Sequence, residues 1–244
     1  MQVNPKLIKN QFEKSIDKYL ENADVQKIMA KKLVENLVDI RRDFTNVLEL
    51  GCGAGILTEQ LFQNISYKSY FANDLVAKSE KYVKKFIPDV RFYCGNAQRI
   101  KPSRKMDLIV SNAMFQWFDN PEKVCNYYKT LLEKDGILAF TSFGEGNYKE
   151  IKDLTGLSLR YRTFDEMNKI LSENYEVLYS EQFSYVMRFE NPLQLLTHMK
   201  NTGVNSLSSR HWTFKEVKSF CDKYAEKYPL ITLSYAPFVF ICRH

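Results

Sequence analysis

One segment, from Val47 to Gly55 (VLELGCGAG), limits what this chain can fold into more than any other. Its apolar start predicts a short buried strand, and apolar residues that recur at helical spacing from Ile56 to Phe62 predict a helix directly after it. The turn between them carries glycines at alternate positions, namely Gly51, Gly53 and Gly55. Glycine lets the backbone approach a ligand where any Cβ would clash. The segment therefore predicts a strand–turn–helix unit whose turn contacts a ligand.

The spacing and charge of this turn indicate the kind of ligand. G-x-G-x-G differs from the G-x-G-x-x-G turn with which dinucleotide-binding folds place a pyrophosphate at a helix N-terminus. Glu49, just before the turn, offers a hydrogen-bond acceptor to a cationic group. A positively charged ligand without phosphate therefore fits better, and S-adenosylmethionine is the common one.

A second acidic residue follows at the distance that a nucleoside site requires. Residues 69–72 predict a second strand, which leads into Asn73, Asp74 and Leu75. Asp74 lies 19 residues after Gly55, about the separation at which a βαβ unit places an acidic side chain against ribose hydroxyls. Taken singly, the glycines are also compatible with a plain turn, and Asp74 with a helix cap. Together and in this order they predict a nucleoside site.

Composition argues against several classes of protein. The five cysteines show no C-x-x-C spacing and there are only three histidines, so no metal site is expected. Scattered cysteines and the lack of a signal-peptide or membrane-span pattern predict reduced thiols, a cytoplasmic location and no membrane association. The net charge of +6 fits a solvated surface or an acidic macromolecular partner. Nucleic acid is disfavoured, because no basic run of five or more stands out.

Strand and helix patterns alternate up to residue 144. A long helical region is predicted over residues 7–38, and a later helix is predicted over 124–132. Strands three, four and five are predicted over residues 90–93, 107–110 and 137–140. This alternation predicts an α/β fold, an open, doubly wound, mostly parallel sheet with helices on both faces and ligands at the carboxyl ends of its strands.

After residue 144 the chain is longer than a minimal nucleoside-binding sheet requires. Helices are predicted over residues 148–154, 165–171, 192–200 and 214–224, and strands over 177–179, 183–187 and 233–241. A polar segment extends to Ser209. Because insertions at strand ends often carry specificity, we expect residues 145–212 to form a substrate-cover insertion. We expect residues 1–244 to form one domain.

Several motifs carry a resemblance to a known family. ELGCGAG, NDL, GNA and LIVSNAMFQWF are similar to motifs of class I S-adenosylmethionine-dependent methyltransferases. Longer segments resemble the malonyl-acyl carrier protein O-methyltransferases of biotin biosynthesis, and these segments are Phe12–Gln26, Ser111–Phe118, Phe140–Leu154, Pro192–Val204 and the ending LSYAPFVFICR. The resemblance covers nearly the whole chain. It implies a Rossmann-like fold in which residues 1–40 form an N-terminal helical lid.

The resemblance also implies the cofactor and the residues that bind it. The cofactor is S-adenosylmethionine, with S-adenosylhomocysteine as the product. The implied binding residues are Glu49, Gly51, Gly53, Gly55, Asp74, Leu75, Asn96, Ala97 and Asn112. This sequence departs from the family at Asn96, where such enzymes often carry Asp. The amide carbonyl of Asn96 can still accept a hydrogen bond from the adenine amino group.

The resemblance implies methyl transfer to the free carboxylate of a malonyl thioester on an acidic acyl carrier protein. Such a carboxylate is ionised at neutral pH and needs no general base, so catalysis rests on proximity and orientation. The sequence agrees, because it shows no Ser-His-Asp or Cys-His constellation and lacks an Asn-Pro-Pro-Tyr loop. A methyltransferase with another small-molecule acceptor and a cofactor-binding module without catalysis remain the alternatives.

Candidate residues for the acceptor come from three parts of the chain. Tyr19 matches the family's N-terminal tyrosine, which is expected to close over the methyl donor; its ring would otherwise pack on the sheet edge. Gln116 and Trp117 are expected to form walls of the acceptor pocket, although Trp117 also fits a plain core position. The carboxylate needs a bidentate arginine. Arg160 and Arg162 are the first candidates, ahead of Arg188 and Arg210.

Overall fold

The computed structural model describes residues 5–202 and 212–244. In chain order its strands are β1 (Asp43–Leu50), β2 (Ser66–Asp74), β3 (Arg91–Cys94), β4 (Met106–Ser111), β5 (Leu132–Phe143), β6 (Glu176–Gln182), β7 (Tyr185–Arg188), β8 (Thr232–Tyr235) and β9 (Pro237–Arg243). Its helices are α1 (Pro5–Asn22), α2 (Asp24–Ile40), α3 (Ile56–Asn64), α4 (Glu80–Val83), α5 (Pro121–Leu131), α6 (Lys149–Thr155), α7 (Phe164–Ser172), α8 (Pro192–Asn201) and α9 (Phe214–Lys227).

Seven strands form one sheet in the order β3-β2-β1-β4-β5-β9-β6, and β7 pairs with β8 separately. Strands β1 to β5 pair in parallel, whereas β9 is antiparallel to both β5 and β6. The strand order reverses between β1 and β4, and Leu50 pairs with Asn73 of β2 and Ser111 of β4. Doubly wound folds bind ligands at such a reversal. The predicted doubly wound, mostly parallel sheet is confirmed.

Both faces of the sheet are covered because its central strands are apolar on both sides. Val47 and Leu48 of β1 are fully buried and point to opposite faces, as successive strand residues do. Val47 belongs to a cluster with Leu33 of α2, and Leu48 belongs to a second cluster with Tyr128 of α5. Helices therefore pack on each face, as predicted and as parallel sheets require.

The helical region predicted over residues 7–38 consists of two helices, separated at Ala23. This residue is completely buried and has φ −94° and ψ 42°, outside the helical range. No glycine or proline lies between residues 7 and 38, so the apolar periodicity gave no sign of a break. Two features accompany it: Asn22 Oδ1 accepts a hydrogen bond from Asn201 Nδ2 of α8, and Asp24 places a negative charge in the first turn of α2.

The strand predicted over residues 233–241 is likewise divided, into β8 and β9, which lie in different sheets. Pro237 begins β9 and has no N–H to donate. The backbone of Ala236 bonds instead to the loop after β5. Its N–H donates to Asn147 Oδ1 at 3.3 Å, and its carbonyl accepts from Gly144 N at 2.8 Å. The chain thus leaves one sheet and enters the other at a point that is fixed to this loop.

A third cluster of buried apolar side chains joins the N-terminal helices to the region after β5. It contains Val25 of α2, Leu195 of α8 and Phe220 of α9. Beside it, the buried carboxylate of Glu150 in α6 accepts hydrogen bonds from the backbone N (3.0 Å) and hydroxyl (2.5 Å) of Ser234 in β8. These contacts hold the loop after β5 in a fixed position relative to α2.

The state of the cysteines and the hydrophobicity of the helices bear on two predictions made from composition. All five cysteines are free. Within residues 5–202 and 212–244, no helix combines the length and the hydrophobicity that a membrane crossing requires.

Candidate active site

A cavity opens at the carboxyl ends of β1, β2 and β4, where the strand order reverses. We call the part of the cavity that is lined by the glycine turn, Asp74 and Asn96 the donor end. We call the part that is lined by Gln116, Trp117 and residues after β4 the acceptor end. Its further lining residues are Phe143, Asn147, Tyr148, Leu159, Tyr161 and Thr202.

The turn after β1 requires glycine at its two cavity-lining positions. Gly51 has φ +65° and Gly53 has φ +53°, a left-handed conformation that residues with a Cβ rarely adopt. A Cβ on Gly51 would also lie 2.6 Å from Met114 Sδ, and one on Gly53 would lie 3.1 Å from Phe12 Cζ. Gly55, with φ +83°, precedes α3 as its N-cap and does not line the cavity.

Glu49 presents one unpaired carboxylate oxygen at the donor end. The residue is 1% exposed, and its Oε2 accepts hydrogen bonds from the Tyr70 hydroxyl and the Thr58 hydroxyl, both at 2.7 Å. Its Oε1 has no hydrogen-bond partner among the described residues. Burial raises the pKa of Glu49 to about 7, against the opposing effect of the two hydroxyl donors. A cationic ligand group would satisfy this oxygen and favour the ionised form.

Asp74 connects the end of β2 to the glycine turn. Its Oδ2 accepts a hydrogen bond from Gly53 N, and its Oδ1 accepts one from Val76 N, both at 2.8 Å. Asp74 also lines the cavity, so its carboxylate lies where it can meet the hydroxyls of a bound ligand. Burial raises the pKa of Asp74, although the backbone donors oppose this shift. Leu75 follows and also lines the cavity.

Asn96 and Ala97 line the cavity at the loop after β3. Asn96 caps a short 3-10 turn, because its Oδ1 accepts a hydrogen bond from Gln98 N at 2.9 Å. A carbonyl oxygen has a second lone pair, which stays available for an adenine amino group. The loop is fixed from β2 by Asn73, whose Nδ2 donates to the carbonyls of Tyr93 and Gly95.

Asn112 joins three elements behind the cavity. Its Oδ1 accepts a hydrogen bond from the Thr141 hydroxyl of β5 at 2.6 Å, and its Nδ2 donates to the Gln26 carbonyl of α2 at 3.0 Å. Both ends of the amide are therefore engaged within the protein. Asn112 lines the cavity and fixes the loop after β4 relative to α2 and β5.

Tyr19 of α1 lies between the donor and acceptor ends. Its ring packs edge-on against Phe12 with the ring centroids 5.0 Å apart. Burial, followed by the nearby charge of Asp74, raises the pKa of Tyr19, so the hydroxyl stays protonated. On the other side, Tyr19 is near enough to Tyr148 to affect the pKa of that residue. The predicted position over the methyl donor is compatible with this placement.

Gln116 and Trp117 both line the cavity, and their role as walls of an acceptor pocket stays a prediction. The Gln116 amide is oriented by two contacts: Nε2 donates to the Ala113 carbonyl at 2.6 Å, and Oε1 accepts from the Ser142 hydroxyl at 3.1 Å. Trp117 is only partly buried and packs against the third apolar cluster.

None of the candidate clamp arginines within residues 5–202 lines this cavity. Arg160 is exposed, and Arg162 is half-buried with its Nη1 4.0 Å from Glu166 Oε1. Neither lines the cavity, whereas their neighbours Leu159 and Tyr161 do, because side chains of an extended segment alternate in direction. The sequence analysis chose Arg160 and Arg162, whereas Leu159 and Tyr161 are the residues of this segment that face the cavity. Of the other two candidates, Arg188 is exposed and Arg210 lies outside the described residues.

Sequence reasoning also missed Asn147, Tyr148 and Tyr161 at the acceptor end. They lie in the segment after β5 that was predicted as a substrate cover, but no spacing within it marks which side chains point inward. Tyr148 has φ 56°, in the left-handed region, and its position is fixed by a 2.7 Å hydrogen bond from its backbone N to the Ser234 carbonyl. In the described ranges no three His, Cys, Asp or Glu side chains group closely enough to hold a metal ion.

Comparison with known proteins shows the family. The sequence pattern of the Methyltransferase domain family matches residues 48–140. A malonyl-acyl carrier protein O-methyltransferase of Haemophilus influenzae is 33% identical, over 99% of this chain and 95% of its own length. The enzyme of the same name from Calditerrivibrio nitroreducens is 37% identical, over 96% and 94%. This chain belongs to the malonyl-acyl carrier protein O-methyltransferase family.

As a member of this methyltransferase family, the protein is an enzyme that uses S-adenosylmethionine. Its fold is also that of solved methyltransferases. The N-methyltransferase NodS of Bradyrhizobium japonicum, in complex with S-adenosylhomocysteine, aligns with a TM-score of 0.61 at 12% identity, over 97% of this chain and 98% of NodS. At this identity the likeness shows the fold alone.

The donor end fits this cofactor. Glu49 Oε1 is a buried oxygen without a partner among the described residues, suited to a cationic group, and the Asp74 carboxylate lines the same end of the cavity. The left-handed glycines at positions 51 and 53 lack the Cβ atoms that would press against Met114 and Phe12 at the cavity. Of the predicted cofactor-binding residues, all except Gly55 line the cavity, and their contact with the cofactor stays a prediction.

Proposed function

We propose that this protein transfers a methyl group from S-adenosylmethionine to the free carboxylate of a malonyl thioester on acyl carrier protein. Its relatives carry this acceptor in their names, at 30% identity or more over nearly the whole chain. The observation that carries the proposal for this chain is the chemistry of the acceptor end. Apart from Asp119, its lining side chains are amides, hydroxyls, an indole and apolar groups, with no histidine or lysine among the described residues.

This lining suits a nucleophile that is already ionised. A carboxyl group has a pKa near 4, so at neutral pH it needs no base, whereas an amine or phenol acceptor would. When bound, S-adenosylmethionine supplies an electrophilic methyl group on a sulfonium. The protein's part is to hold the acceptor carboxylate in line with that group and to exclude water, which makes orientation the main source of rate enhancement. Besides Glu49 and Asp74 at the donor end, Asp119 is the one acidic residue among the described residues that lines the cavity, and its side chain is exposed to solvent.

We infer that residues 1–40 act as a helical lid and residues 145–212 as a substrate cover within one domain. The inference of a lid is supported by α1, whose residues Phe12 and Tyr19 line the cavity. The inference of a substrate cover is supported by the segment after β5, because its residues Asn147, Tyr148 and Tyr161 line the acceptor end.

We further propose that the carrier protein is an acidic partner and that its docking uses a basic patch on the cover. The patch consists of five exposed side chains, Lys149, Lys152, Arg160, Arg188 and Lys200. Their charge, within a chain of net charge +6, would attract an acidic protein. We place the reaction in the cytoplasm, where the product ester would serve biotin synthesis.

The test is incubation of the purified protein with labelled S-adenosylmethionine and a panel of acceptors: malonyl-acyl carrier protein, a short malonyl thioester, free dicarboxylic acids and RNA. We expect label on the two malonyl thioesters. Label on another acceptor alone would support a different small-molecule or RNA methyltransferase. Cofactor binding without transfer to any acceptor would support a non-catalytic module.

A further inference from the structure

The acceptor end must bind an anion without a cation from the described chain. The one described lysine that lines the cavity is Lys9 of α1, about one helical turn before Phe12, whose ring lies at the glycine turn. Arg160 and Arg162 point elsewhere. Neutral donors, namely hydroxyl, amide or indole hydrogens, are the remaining means of holding a carboxylate there.

Three hydroxyl groups at the acceptor end can be examined for a hydrogen that is still free to donate. The Thr202 hydroxyl bonds to the His198 carbonyl at 3.0 Å. Tyr148 packs edge-on against Tyr235 with the ring centroids 5.0 Å apart, and the Tyr235 hydroxyl lies 2.6 Å from His198 Nε2. Burial lowers the pKa of His198, so its ring is neutral and can accept from Tyr235. The Thr202 hydrogen is therefore engaged, whereas no hydrogen bond among the described residues fixes the direction of the Tyr148 hydroxyl.

Tyr161 is the third hydroxyl, and it differs because its oxygen serves as an acceptor. Asn147 Nδ2 donates to the Tyr161 hydroxyl oxygen at 2.9 Å. The orientation of the Asn147 amide is fixed, because its Oδ1 faces the backbone N of Ala236, which can only donate. The amide nitrogen must therefore face Tyr161. Within the described residues, nothing accepts the hydrogen of the Tyr161 hydroxyl, which lies on the cavity.

We propose that Tyr161 donates its hydroxyl hydrogen to the carboxylate of the acceptor, and that Asn147 is a positioning residue that orients this donor. The inference rests on the proposed function and names the group that selects its substrate class. A thioester with a terminal carboxylate is bound through this charge-assisted hydrogen bond, whereas an acetyl thioester of the same carrier lacks the accepting group. Burial also raises the pKa of Tyr161, which keeps the hydroxyl protonated.

The substitution Tyr161→Phe tests the proposal with a readout that does not depend on turnover. Affinities of malonyl-pantetheine and acetyl-pantetheine would be measured by calorimetry in the presence of S-adenosylhomocysteine. We expect the wild type to bind the malonyl compound more tightly, and Tyr161→Phe to lose about 10- to 100-fold of malonyl affinity, the range for a hydrogen bond to a charged group. Acetyl affinity and S-adenosylhomocysteine affinity should not change.

Tyr127→Phe is the matched control, because its hydroxyl bonds to the Ile100 carbonyl and the residue does not line the cavity. It removes the same atom and should leave the ratio of malonyl to acetyl affinity at the wild-type value.

A second variant, Asn147→Asp, keeps the shape of the side chain and reverses the direction of the hydrogen bond. One carboxylate oxygen would still accept from Ala236 N, and the other would accept the Tyr161 hydrogen that the substrate needs. Malonyl affinity should then fall at least as much as in Tyr161→Phe, with acetyl affinity retained. A loss of both affinities together would show a structural role for Asn147 and contradict its assignment as a positioning residue.

Different results would overturn the proposed function and the assignment of Tyr161. If the wild type prefers malonyl-pantetheine and methylates it but Tyr161→Phe keeps that preference, the assignment of Tyr161 is overturned and the proposed function stands. If the wild type does not distinguish the two thioesters, the proposed function is overturned and the assignment of Tyr161 with it.

Discussion

Replacing Glu49 with glutamine should stabilise the cofactor-free protein at high pH and weaken cofactor binding. Because burial raises the pKa of Glu49 to about 7 from its ordinary 4.5, the folded protein holds a proton that the unfolded chain has released. Stability therefore falls as pH rises from about 4.5 to about 7, and it stays reduced above that range. Asp74, which also faces this carboxyl, acts in the same direction. The glutamine side chain does not ionise, so the variant should not lose this part of its unfolding free energy as the pH rises.

The magnitude follows from the shift. A pKa that moves from 4.5 to about 7 corresponds to about 3 kcal/mol of unfolding free energy lost by the wild type across this range. The amide oxygen of the introduced glutamine can accept the two hydroxyl donors that now bond to Oε2 of Glu49, so little stability should be lost at pH 5. Urea denaturation of the cofactor-free protein at pH 5 and pH 8 measures the difference. The variant should gain stability relative to the wild type by about 2–3 kcal/mol over this interval.

Glu150→Gln is the matched control. Both oxygens of this buried carboxylate accept hydrogen bonds from Ser234. Whichever oxygen the amide nitrogen of glutamine replaces, that nitrogen would face a donor and one hydrogen bond would be lost. It should destabilise the protein at both pH values. Cofactor affinity of Glu49→Gln should fall by about 1.5–3 kcal/mol through loss of the charged acceptor. The reasoning is refuted if Glu49→Gln gains no stability between pH 5 and pH 8, or if it binds S-adenosylmethionine as the wild type does.

Three further predictions concern the ribose contact, the carrier-protein dock and the acceptor. Asp74→Ala should weaken S-adenosylmethionine binding by about 1–3 kcal/mol in calorimetry, because ligand hydroxyls and the N–H groups of Gly53 and Val76 lose their acceptor; unchanged affinity would contradict the ribose assignment. Added salt should reduce activity on malonyl-acyl carrier protein more than on a short malonyl thioester, since screening acts on the exposed basic patch within ~8–10 Å; equal salt dependence would contradict docking there. The rate at saturating cofactor should be flat from about pH 6 to 8, because a carboxylate acceptor does not titrate there; a rising rate would indicate an amine, phenol or thiol acceptor.

The fold could be predicted from the sequence where periodicity and turn chemistry agree. The apolar run from Val47, the glycine turn and the helical spacing after it all indicate one strand–turn–helix unit, and the structure has β1 and α3 there. The boundaries depended on tertiary contacts and were missed. Ala23 ends the first helix without a glycine or proline, and Ala236 divides the last strand because its backbone bonds to the loop after β5.

The donor end was likewise predictable, because its residues occupy fixed positions after strands. Glu49, Asp74 and Asn96 all line the cavity that the strand order creates. The acceptor end could not be predicted in this way. Its residues lie in an irregular segment, which has no helical or strand periodicity to show which side chains point into the cavity. Arg160 and Tyr161 are neighbours in sequence, and only the backbone path after β5 decides which of them faces the cavity.

The central claim is that the methyl group is added to the malonyl carboxylate of a carrier-protein thioester. Mass spectrometry of malonyl-acyl carrier protein after reaction with the enzyme and S-adenosylmethionine tests it most directly. We predict one added methyl group per acyl chain, located by fragmentation on the terminal carboxylate as an ester and removable by mild alkaline hydrolysis. A methyl group on any other atom, or an unmodified malonyl chain with active cofactor-bound protein, would contradict the account.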